Sequence, residues 1–312
     1  MFRNEMRIRV LGSAAGGGFP QWNCGCPNCR GLRASTIRAK PRSQECLAVS
    51  ADGEHWYLLN ASPDLRLQIE GFPALHPHAP RHSPIAGIVL TSGDLDHCLG
   101  LLLLRESQAL TVYATERVWR GFSQRNAFFR TLQRFDGQVT WRRLGCDGAA
   151  TRLVLDGERP SGLSIAAVAA PGKPPIHLEG IEPKHPEENI GLRIRDDATR
   201  RVLAYVSGAG AITDRVYRAL EDADCVFFDG TFWSATELVD LGLGSKRAED
   251  MAHLPIGGAG GSLAALRALE ARRRVFIHVN NTNPILREDS AEAEAVRAAG
   301  WEVAEDGMEI EL

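Results

Sequence analysis

Two aspartates and a histidine follow an apolar segment of the chain closely enough to bind one cation. Residues 85–90 are apolar and lead into a polar stretch that contains Asp94, Asp96 and His97, and a short apolar run of this kind predicts a buried strand. Loops at the carboxyl ends of strands commonly hold ligands in open α/β sheets, and carboxylate and imidazole groups together bind transition metals. A helix N-cap followed by a solvated histidine gives the same pattern, so these residues alone leave both interpretations open.

Three further residues that can bind a metal or move a proton lie at strand ends or in adjoining loops. His278 and Asp229 each end an apolar segment, and His253 precedes a glycine-rich stretch. Polar residues at the ends of several strands favour one shared rim over coincidence. We therefore expect these three side chains to lie near Asp96 and His97.

A cluster of cysteines indicates a structural zinc site. Cys24, Cys26 and Cys29 lie within six residues, a spacing with which thiolates bind tetrahedral Zn²⁺. Unliganded turn cysteines and a redox role are the alternatives, although no thioredoxin-like βαβ pattern surrounds the cluster. A fourth ligand must come from elsewhere in the chain, and Asn281 is a candidate. The remaining cysteines are isolated and are expected in the core: Cys46, Cys98, Cys146 and Cys225.

The composition argues against several classes of partner. The formal charge is -3 over 312 residues, with Lys and Arg scattered along the chain, whereas phosphate binding needs clustered positive charge. No segment approaches the roughly 20 apolar residues that a membrane helix needs, and the N-terminus lacks the apolar core of a signal peptide. We therefore expect a cytoplasmic protein with no nucleic-acid or membrane partner, in which the cysteines stay reduced.

Strands and helices alternate along the chain without an interdomain linker. Apolar periodicity predicts helices over 116–132 and 262–272, the second opened by a serine cap. Two long loops, 12–42 and 170–189, interrupt the pattern, and long loops inside a domain are more often functional than not. One αββα-type domain over residues 1–312 is our interpretation.

Six motifs spread from the start to the end of the chain carry a resemblance to a known family. They are LGSAAGGGFPQWNCGC (11–26), NASPD (60–64), NIGL (189–192), DGT (229–231), IHVNNTNPIL (277–286) and DGM (306–308). The chain is similar in these motifs to the coenzyme PQQ synthesis B proteins, which belong to the metallo-β-lactamase superfamily. The resemblance implies an α/β fold, a metallo-β-lactamase-like αββα sandwich of two mixed sheets, with an N-terminal zinc-binding loop at about residues 12–42.

The sequence departs from the hydrolases of that superfamily where they bind two metals. Their motif H-x-H-x-D-H reads Ser92-x-Asp94-x-Asp96-His97 here, so the two leading histidines are replaced. The aspartate that bridges the two metals is expected in 207–210, and no carboxylate occurs there. The resemblance therefore implies that most ligands of the first metal are lost.

One active-site metal is the consequence of these departures. Asp96, His97 and His278 form a set of two histidines and one carboxylate, which is the composition of non-haem Fe(II) sites that activate O₂. Asp94 is expected to add a fourth contact or to hydrogen-bond to a ligand. His185 aligns with a loop histidine of the superfamily, and either belongs to the site or lies on the surface of a proline-rich loop.

The resemblance implies a role in making the quinone cofactor PQQ from a cross-linked Glu-Tyr precursor. The expected reaction is an iron- and O₂-dependent hydroxylation of the tyrosine-derived ring, with Fe²⁺ at the active site and Zn²⁺ at the cysteines. His253 and His185 would move protons or bind substrate carboxylates, and Asp229 would orient a histidine or cap its turn. The expected partner is this small-molecule precursor or PQQ itself.

Two alternatives from other classes stay open. The chain can be a non-catalytic carrier of PQQ or its precursor involved in transport to the periplasm, or a metal-dependent hydrolase of another substrate. Arginines near the rim are expected to bind substrate carboxylates. The oligomeric state is not determined by the sequence, and a homodimer is one of the states considered.

Overall fold

The structure, a computed structural model, describes residues 5–106 and 108–312. In chain order its strands are β1 Arg7–Gly12, β2 Cys46–Ser50, β3 Trp56–Leu59, β4 Ile85–Val89, β5 Leu110–Ala114, β6 Val139–Arg143, β7 Thr151–Val154, β8 Pro160–Ala169, β9 Ile190–Asp196, β10 Val202–Val206, β11 Cys225–Asp229, β12 Arg273–Ile277, β13 Glu302–Val303 and β14 Glu309–Glu311. The α-helices are α1 Pro27–Arg33, α2 Leu65–Glu70, α3 Leu95–Cys98, α4 Glu116–Gln124, α5 Asp214–Leu220, α6 Glu237–Asp240, α7 Ser262–Ala265 and α8 Ala291–Ala298.

The strands form two seven-stranded sheets that follow the same plan. The first has the order β14-β1-β2-β3-β4-β5-β6 and the second the order β13-β12-β11-β10-β9-β8-β7. In the first sheet the pairs from β14 to β3 are antiparallel and those from β3 to β6 are parallel. In the second, the pairs from β7 to β10 are antiparallel and those from β10 to β13 are parallel. The two mixed sheets predicted from the resemblance are confirmed, and the parallel pairing brings the carboxyl ends of β10, β11 and β12 to one edge.

The main hydrophobic core lies between the two sheets. Ile8, Val49 and Tyr57 from the first sheet belong to one buried cluster with Tyr205 and Phe227 from the second. Strands β2, β3 and β11 are buried along their whole length. Strands covered on both faces carry continuous apolar runs instead of an alternating pattern, which explains the composition of these segments.

Helices cover the outer faces of both sheets. Val118 and Phe122 of α4 pack against the first sheet, whereas Val216 of α5 and Val296 of α8 pack against the second. The predicted αββα arrangement is therefore confirmed. None of the helices in the described part of the chain combines the length and the apolar character that a membrane span requires.

The helix predicted over 116–132 is interrupted. Helix α4 ends at Gln124, and a 3₁₀ segment follows over Ala127–Leu132. The side chain of Asn126 accepts a hydrogen bond from the backbone N–H of Phe128, which is the local contact by which asparagine ends one helix and begins another. The prediction of one continuous helix was wrong, because the spacing of apolar residues gives no information on where a side chain such as that of Asn126 caps a helix.

The helix predicted over 262–272 is also shorter than expected. Helix α7 has four residues and is capped by Gly261, not by a serine. Leu266 and Leu269 are nevertheless buried. Residues three positions apart do not fall on the same line of an α-helix, which has 3.6 residues per turn. The apolar spacing of these leucines is therefore compatible with turns as well as with a helix.

The position of Phe227 in the central cluster leads to a prediction about stability. Phe227 is completely buried between the sheets, and Phe→Ala substitutions in cores cost about 3–5 kcal/mol. We expect Phe227→Ala to lower the free energy of unfolding by that amount in urea titration. Phe128→Ala is the matched control, because Phe128 is 71% exposed, and an equal loss in both variants would contradict this account of the core.

Candidate metal centre

Six loops, each of which follows a strand, line one cavity of about 370 Å³ at the edge where the two sheets meet. Asp94, Asp96 and His97 enter it after β4, and His278 enters it directly after β12. His253 reaches the cavity from the loop between α6 and α7. The convergence follows from the sheet order, because parallel strands deliver their carboxyl ends to the same side.

Asp96, His97 and His278 form the first group of possible ligands in this cavity. Each offers a ligand atom within 4.8 Å of the others. His278 Nε2 lies 3.1 Å from Asp96 Oδ2, and the His97 and His278 ring centroids are 5.2 Å apart. The structure thus brings together the three residues predicted to hold the active-site metal.

The pKa values in this group favour a shared cation between carboxylate and imidazole. Burial opposes the charged form of His278, but the hydrogen bond and charge of Asp96 raise its pKa to about 9. Burial likewise opposes the charged form of Asp96, while the charges of His97 and His278 hold its pKa well below the usual range. A negative carboxylate facing an imidazole nitrogen requires a positive charge between them, which a proton or a metal ion can supply.

One buried nitrogen of His97 is available to bind a metal ion. His97 Nδ1 lies 2.8 Å from the Ser92 hydroxyl, and Nε2 is buried without a hydrogen-bond partner among the described residues. The Ser92 hydroxyl donates to Asp94 Oδ2 at 3.0 Å, so it accepts from Nδ1–H and leaves the lone pair on Nε2. Metal-binding histidines are commonly fixed in one tautomer in this way, and the residues fit a bound cation.

Asp94 has a supporting position in this arrangement. Its carboxylate lines the cavity but does not belong to the group within 4.8 Å. Instead it accepts the hydrogen bond from Ser92, which in turn holds His97. Of the two roles expected for Asp94, the geometry matches the hydrogen-bonding one.

Asp229, His253 and His278 form a second group within 4.8 Å. Asp229 is completely buried and lies 2.7 Å from His253 Nδ1. It also accepts hydrogen bonds from the Ala209 and Thr231 backbone nitrogens at 2.9 Å and 3.0 Å. Asp229 therefore orients His253, and this pair is arranged as a carboxylate and imidazole that can accept a proton.

Thr231 links the two groups, although the sequence did not identify it as a site residue. Its hydroxyl lies 2.6 Å from Asp229 Oδ1, which can only accept, and 2.8 Å from His278 Nδ1. A hydroxyl that donates to Asp229 accepts from Nδ1–H. Nε2 of His278, with a proton or a metal ion bound, then faces Asp96. Thr231 therefore orients His278 in the same way as Ser92 orients His97.

Glu45 is a second residue that the sequence did not reveal. It is completely buried behind His97, with Oε2 3.5 Å from His97 Nε2 and 2.8 Å from Asn60 Nδ2. Burial raises the pKa of its carboxyl despite the nearby charge of His97 and the Tyr205 hydroxyl. A glutamate beside an apolar run gives no signal that distinguishes it from a solvated one.

His185 lies outside this cavity. It is exposed, and its Nδ1 accepts from the Glu187 backbone N–H at 3.2 Å. The residue of this loop that does line the cavity is Asn189, which donates to the Gly208 carbonyl at 2.6 Å. Arg117 binds Glu188 and Glu182 and so holds the His185 end of the loop against α4.

The three cysteines predicted to bind zinc form a separate group with their sulfurs within 4.8 Å of one another. The amide nitrogen of Asn281 lies 3.2 Å from Cys24 Sγ, 3.6 Å from Cys26 Sγ and 3.3 Å from Cys29 Sγ. Oxygen and nitrogen of an asparagine amide are assigned from their surroundings, and a rotation of the amide would direct its oxygen to the sulfurs. Three thiolates and a fourth donor fit a tetrahedral zinc ion, and the amide oxygen of Asn281 would be the fourth donor after that rotation.

Acidities within the cluster differ. Although burial opposes it, hydrogen bonds from the Cys26 backbone and neighbouring groups lower the pKa of the Cys24 thiol. Burial raises the pKa of Cys26 to about 12. A bound zinc ion would deprotonate both thiols, because its double positive charge stabilises the thiolate form of each ligand.

Comparisons with known proteins agree with the fold and extend over the whole chain. A model of the Beta-lactamase superfamily domain matches residues 55–279. Coenzyme PQQ synthesis protein B of Rhizobium meliloti (strain 1021) is 46% identical, over 99% of this chain and 99% of that protein. The protein of the same name from Azotobacter vinelandii is 44% identical, over 98% of this chain and 100% of that one. The crystal structure of Zn(2+)-bound PqqB from Methylobacterium extorquens is similar with a TM-score of 0.90 and 40% identity, covering 98% and 100% of the two chains.

The two ligand groups predict separable metal sites. We expect His97→Ala or His278→Ala to lose metal from the cavity while one zinc per chain stays at the cysteines. Elemental analysis of the protein, after loading with Fe²⁺ under nitrogen and desalting, measures the iron and the zinc content per chain. His185→Ala is the matched control, because His185 is exposed and outside the cavity, and iron loss in this variant as large as in His97→Ala would refute the ligand assignment.

Proposed function

Because the chain belongs to the coenzyme PQQ synthesis protein B family, within the beta-lactamase superfamily, we propose that it acts in PQQ biosynthesis. The proposed reaction is the iron- and O₂-dependent hydroxylation of the tyrosine-derived ring of a Glu-Tyr precursor toward a quinone. The observation that carries the proposal is the approach of Asp96, His97 and His278 to within 4.8 Å. Two histidines and one carboxylate with open positions are typical of Fe(II) oxygenases.

The altered residues around this group favour oxidation over hydrolysis. Ser92 and Asp94 stand where the hydrolases carry histidines, and they hydrogen-bond to each other and to His97. Gly208 lines the cavity in the segment where a bridging aspartate would be expected. Hydrolysis at a paired centre needs both ions to clamp the attacking and leaving oxygens, and these substitutions remove ligands that the hydrolases use for one of them.

The proposed reaction balances without a further reductant. A phenol and O₂ give an ortho-quinone and water, so the ring provides every electron that O₂ accepts. A bound Fe²⁺ would supply the open coordination positions at which O₂ is activated. The phenol must also lose its proton, and His253 can accept it at Nε2 because Nδ1 is bound to Asp229.

Lys173 is the residue proposed to hold a carboxylate of the precursor. Of the described residues that line the cavity, it has the one permanently positive side chain. We therefore propose that this lysine, and not an arginine, binds a carboxylate of the substrate. Lys173 Nζ lies 2.5 Å from Glu179 Oε1, and Glu179 Oε2 lies 3.9 Å from Lys246 Nζ. Two lysines share one carboxylate, which leaves a net positive charge at the rim for an acidic substrate.

The proposed oxidation predicts that the iron-loaded protein consumes O₂ in the presence of a tyrosine-type precursor. We expect oxygen uptake at an electrode and a product that has gained oxygen mass, both absent in His97→Ala and retained in His185→Ala. For His253→Ala we expect iron content to stay normal while the rate falls about 10²-fold or more, since general base catalysis contributes that much.

Other results would support the alternatives. Tight binding of the precursor or of PQQ without oxygen uptake would replace the proposed oxidation with a carrier role. Cleavage of the substrate under nitrogen, together with two metal ions in the cavity, would replace it with hydrolysis.

The role of Lys173 gives a separate prediction about affinity. PQQ carries several carboxylates and is the probe. We expect Lys173→Met to weaken PQQ binding about 10-fold or more, since a charge-assisted hydrogen bond contributes about 1.5–3 kcal/mol. Lys173→Arg should preserve binding, and Glu179→Gln should tighten it by removing a competitor for the ammonium group. Lys184→Met, an exposed lysine outside the cavity, is the matched control, and equal affinities of Lys173→Met and the unmodified protein in fluorescence titration would exclude this role.

A further inference from the structure

A short segment joins the cysteine cluster to the candidate metal centre. His278 belongs to both ligand groups in the cavity. Asn281, three positions later in the chain, lies against all three sulfurs of Cys24, Cys26 and Cys29. Only a few backbone bonds therefore separate the cysteine cluster's partner Asn281 from His278.

The backbone of His278 is in a conformation that needs support. Its φ is 59°, in the left-handed region that residues with a side chain rarely adopt. Such a conformation persists where the surrounding structure imposes it. The direction of the imidazole follows from this backbone, since the ring is attached directly at the bend.

Thr231 supports the bend from one side, with its hydroxyl 3.0 Å from the His278 carbonyl, and the N-terminal loop that carries the cysteines supports the residues that follow it. Val279 N donates to the Ser13 carbonyl at 3.0 Å, and Ala15 N donates to the Val279 carbonyl at 3.0 Å. Asn28, between two of the cysteines, donates from its amide to the carbonyl of Asn281 at 3.2 Å. These contacts fix the backbone of Val279 and Asn281, which directly follow the bend at His278.

The same loop also touches the carboxylate of the centre. A Cβ atom on Gly16 would lie 3.3 Å from Asp96 Oδ2, so the backbone of the loop borders Asp96 closely. Asp96 and His278 are the two groups that share a charge at 3.1 Å. One loop thus borders both partners of that contact.

We propose that the cysteine cluster, with Asn281 as its fourth member, is a positioning device that holds His278 in the left-handed conformation and so sets the metal affinity of the centre. The inference rests on the proposed metal centre but not on the oxidation proposed for it. Asn281 and the cysteines act here as positioning residues, because they do not touch the metal centre. They act on His278 through the backbone of 279–281 and through the N-terminal loop that bonds to it.

The first test measures Co²⁺ binding at the centre of protein whose cysteine cluster is loaded with Zn²⁺. We expect Asn281→Ala to weaken the Co²⁺ affinity about 10- to 100-fold, the range found when groups that support ligands are removed. Asn23→Ala is the matched control, because Asn23 is exposed in the same loop and bonds to Gln21 instead. Competition with a coloured chelator gives both affinities, and unchanged Co²⁺ affinity in Asn281→Ala would overturn the proposal.

The second test does not depend on a metal at the centre. Removal of zinc from the unmodified protein with a chelator should accelerate hydrogen exchange of the backbone amides of 279–283, while amides of β5 stay protected. Cys26→Ser should have the same effect, whereas Cys225→Ser, a buried cysteine on β11, should not. Unchanged exchange in 279–283 after zinc removal would refute the positioning role, even if the centre bound no Co²⁺ and the proposed function failed.

Discussion

The site depends on one largely buried contact, between the carboxylate of Asp96 and the imidazole of His278. The two residues are 182 positions apart in the chain and lie 3.1 Å apart in space. Asp96 follows a strand of the first sheet and His278 a strand of the second, so the contact exists only where the two sheets meet. A buried charge is costly unless an opposite charge compensates it, and each of these groups shifts the pKa of the other toward its charged form. The packing of the sandwich and the chemistry of the site are therefore coupled through this pair.

Two hydroxyl groups determine how the histidines of the site are presented. Ser92 accepts from His97 Nδ1 and Thr231 accepts from His278 Nδ1, and each hydroxyl is itself bound to a carboxylate, of Asp94 and Asp229. Hydroxyls paired with carboxylates have one remaining way to bond to an imidazole, which is to accept. Nε2 is thus the nitrogen of each ring that is directed toward the cavity and can bind a metal ion. Ser92 and Asp94, which stand where the related hydrolases are expected to carry histidines, orient His97 through these hydrogen bonds.

The charges around the cavity are arranged in layers. Glu45 is buried behind His97 beside Asn60 and Tyr205, Asp96 lies at the centre, and Lys173 lies at the rim with a shared carboxylate. Burial raises the pKa of Glu45, so the proximity of the histidines stabilises its charged form against that cost. Carboxyl groups thus lie in the interior beside the histidines, and an ammonium group lies at the rim.

The sequence by itself determined the features that depend on neighbouring residues. The spacing of Cys24, Cys26 and Cys29 predicted a thiolate cluster, and the polar residues after strand ends predicted Asp96, His97, Asp229, His253 and His278 as site residues. The long motifs predicted the two mixed sheets. The cysteine and strand-end signals are local, since a few adjacent positions decide a strand end, a turn or a ligand spacing, whereas the two sheets were predicted through the family resemblance.

Only the tertiary structure decided which loops meet. His185 and Asn189 belong to the same proline-rich loop, yet Asn189 lines the cavity and His185 is held on the surface with the residues that bind Arg117. Glu45, Thr231 and Lys173 acquire their roles from segments distant in the chain, and Asn281 contacts sulfurs more than 250 positions away. The order of strands and the hydrogen bonds between loops determine these contacts, and neither is encoded in the spacing of residues along one segment.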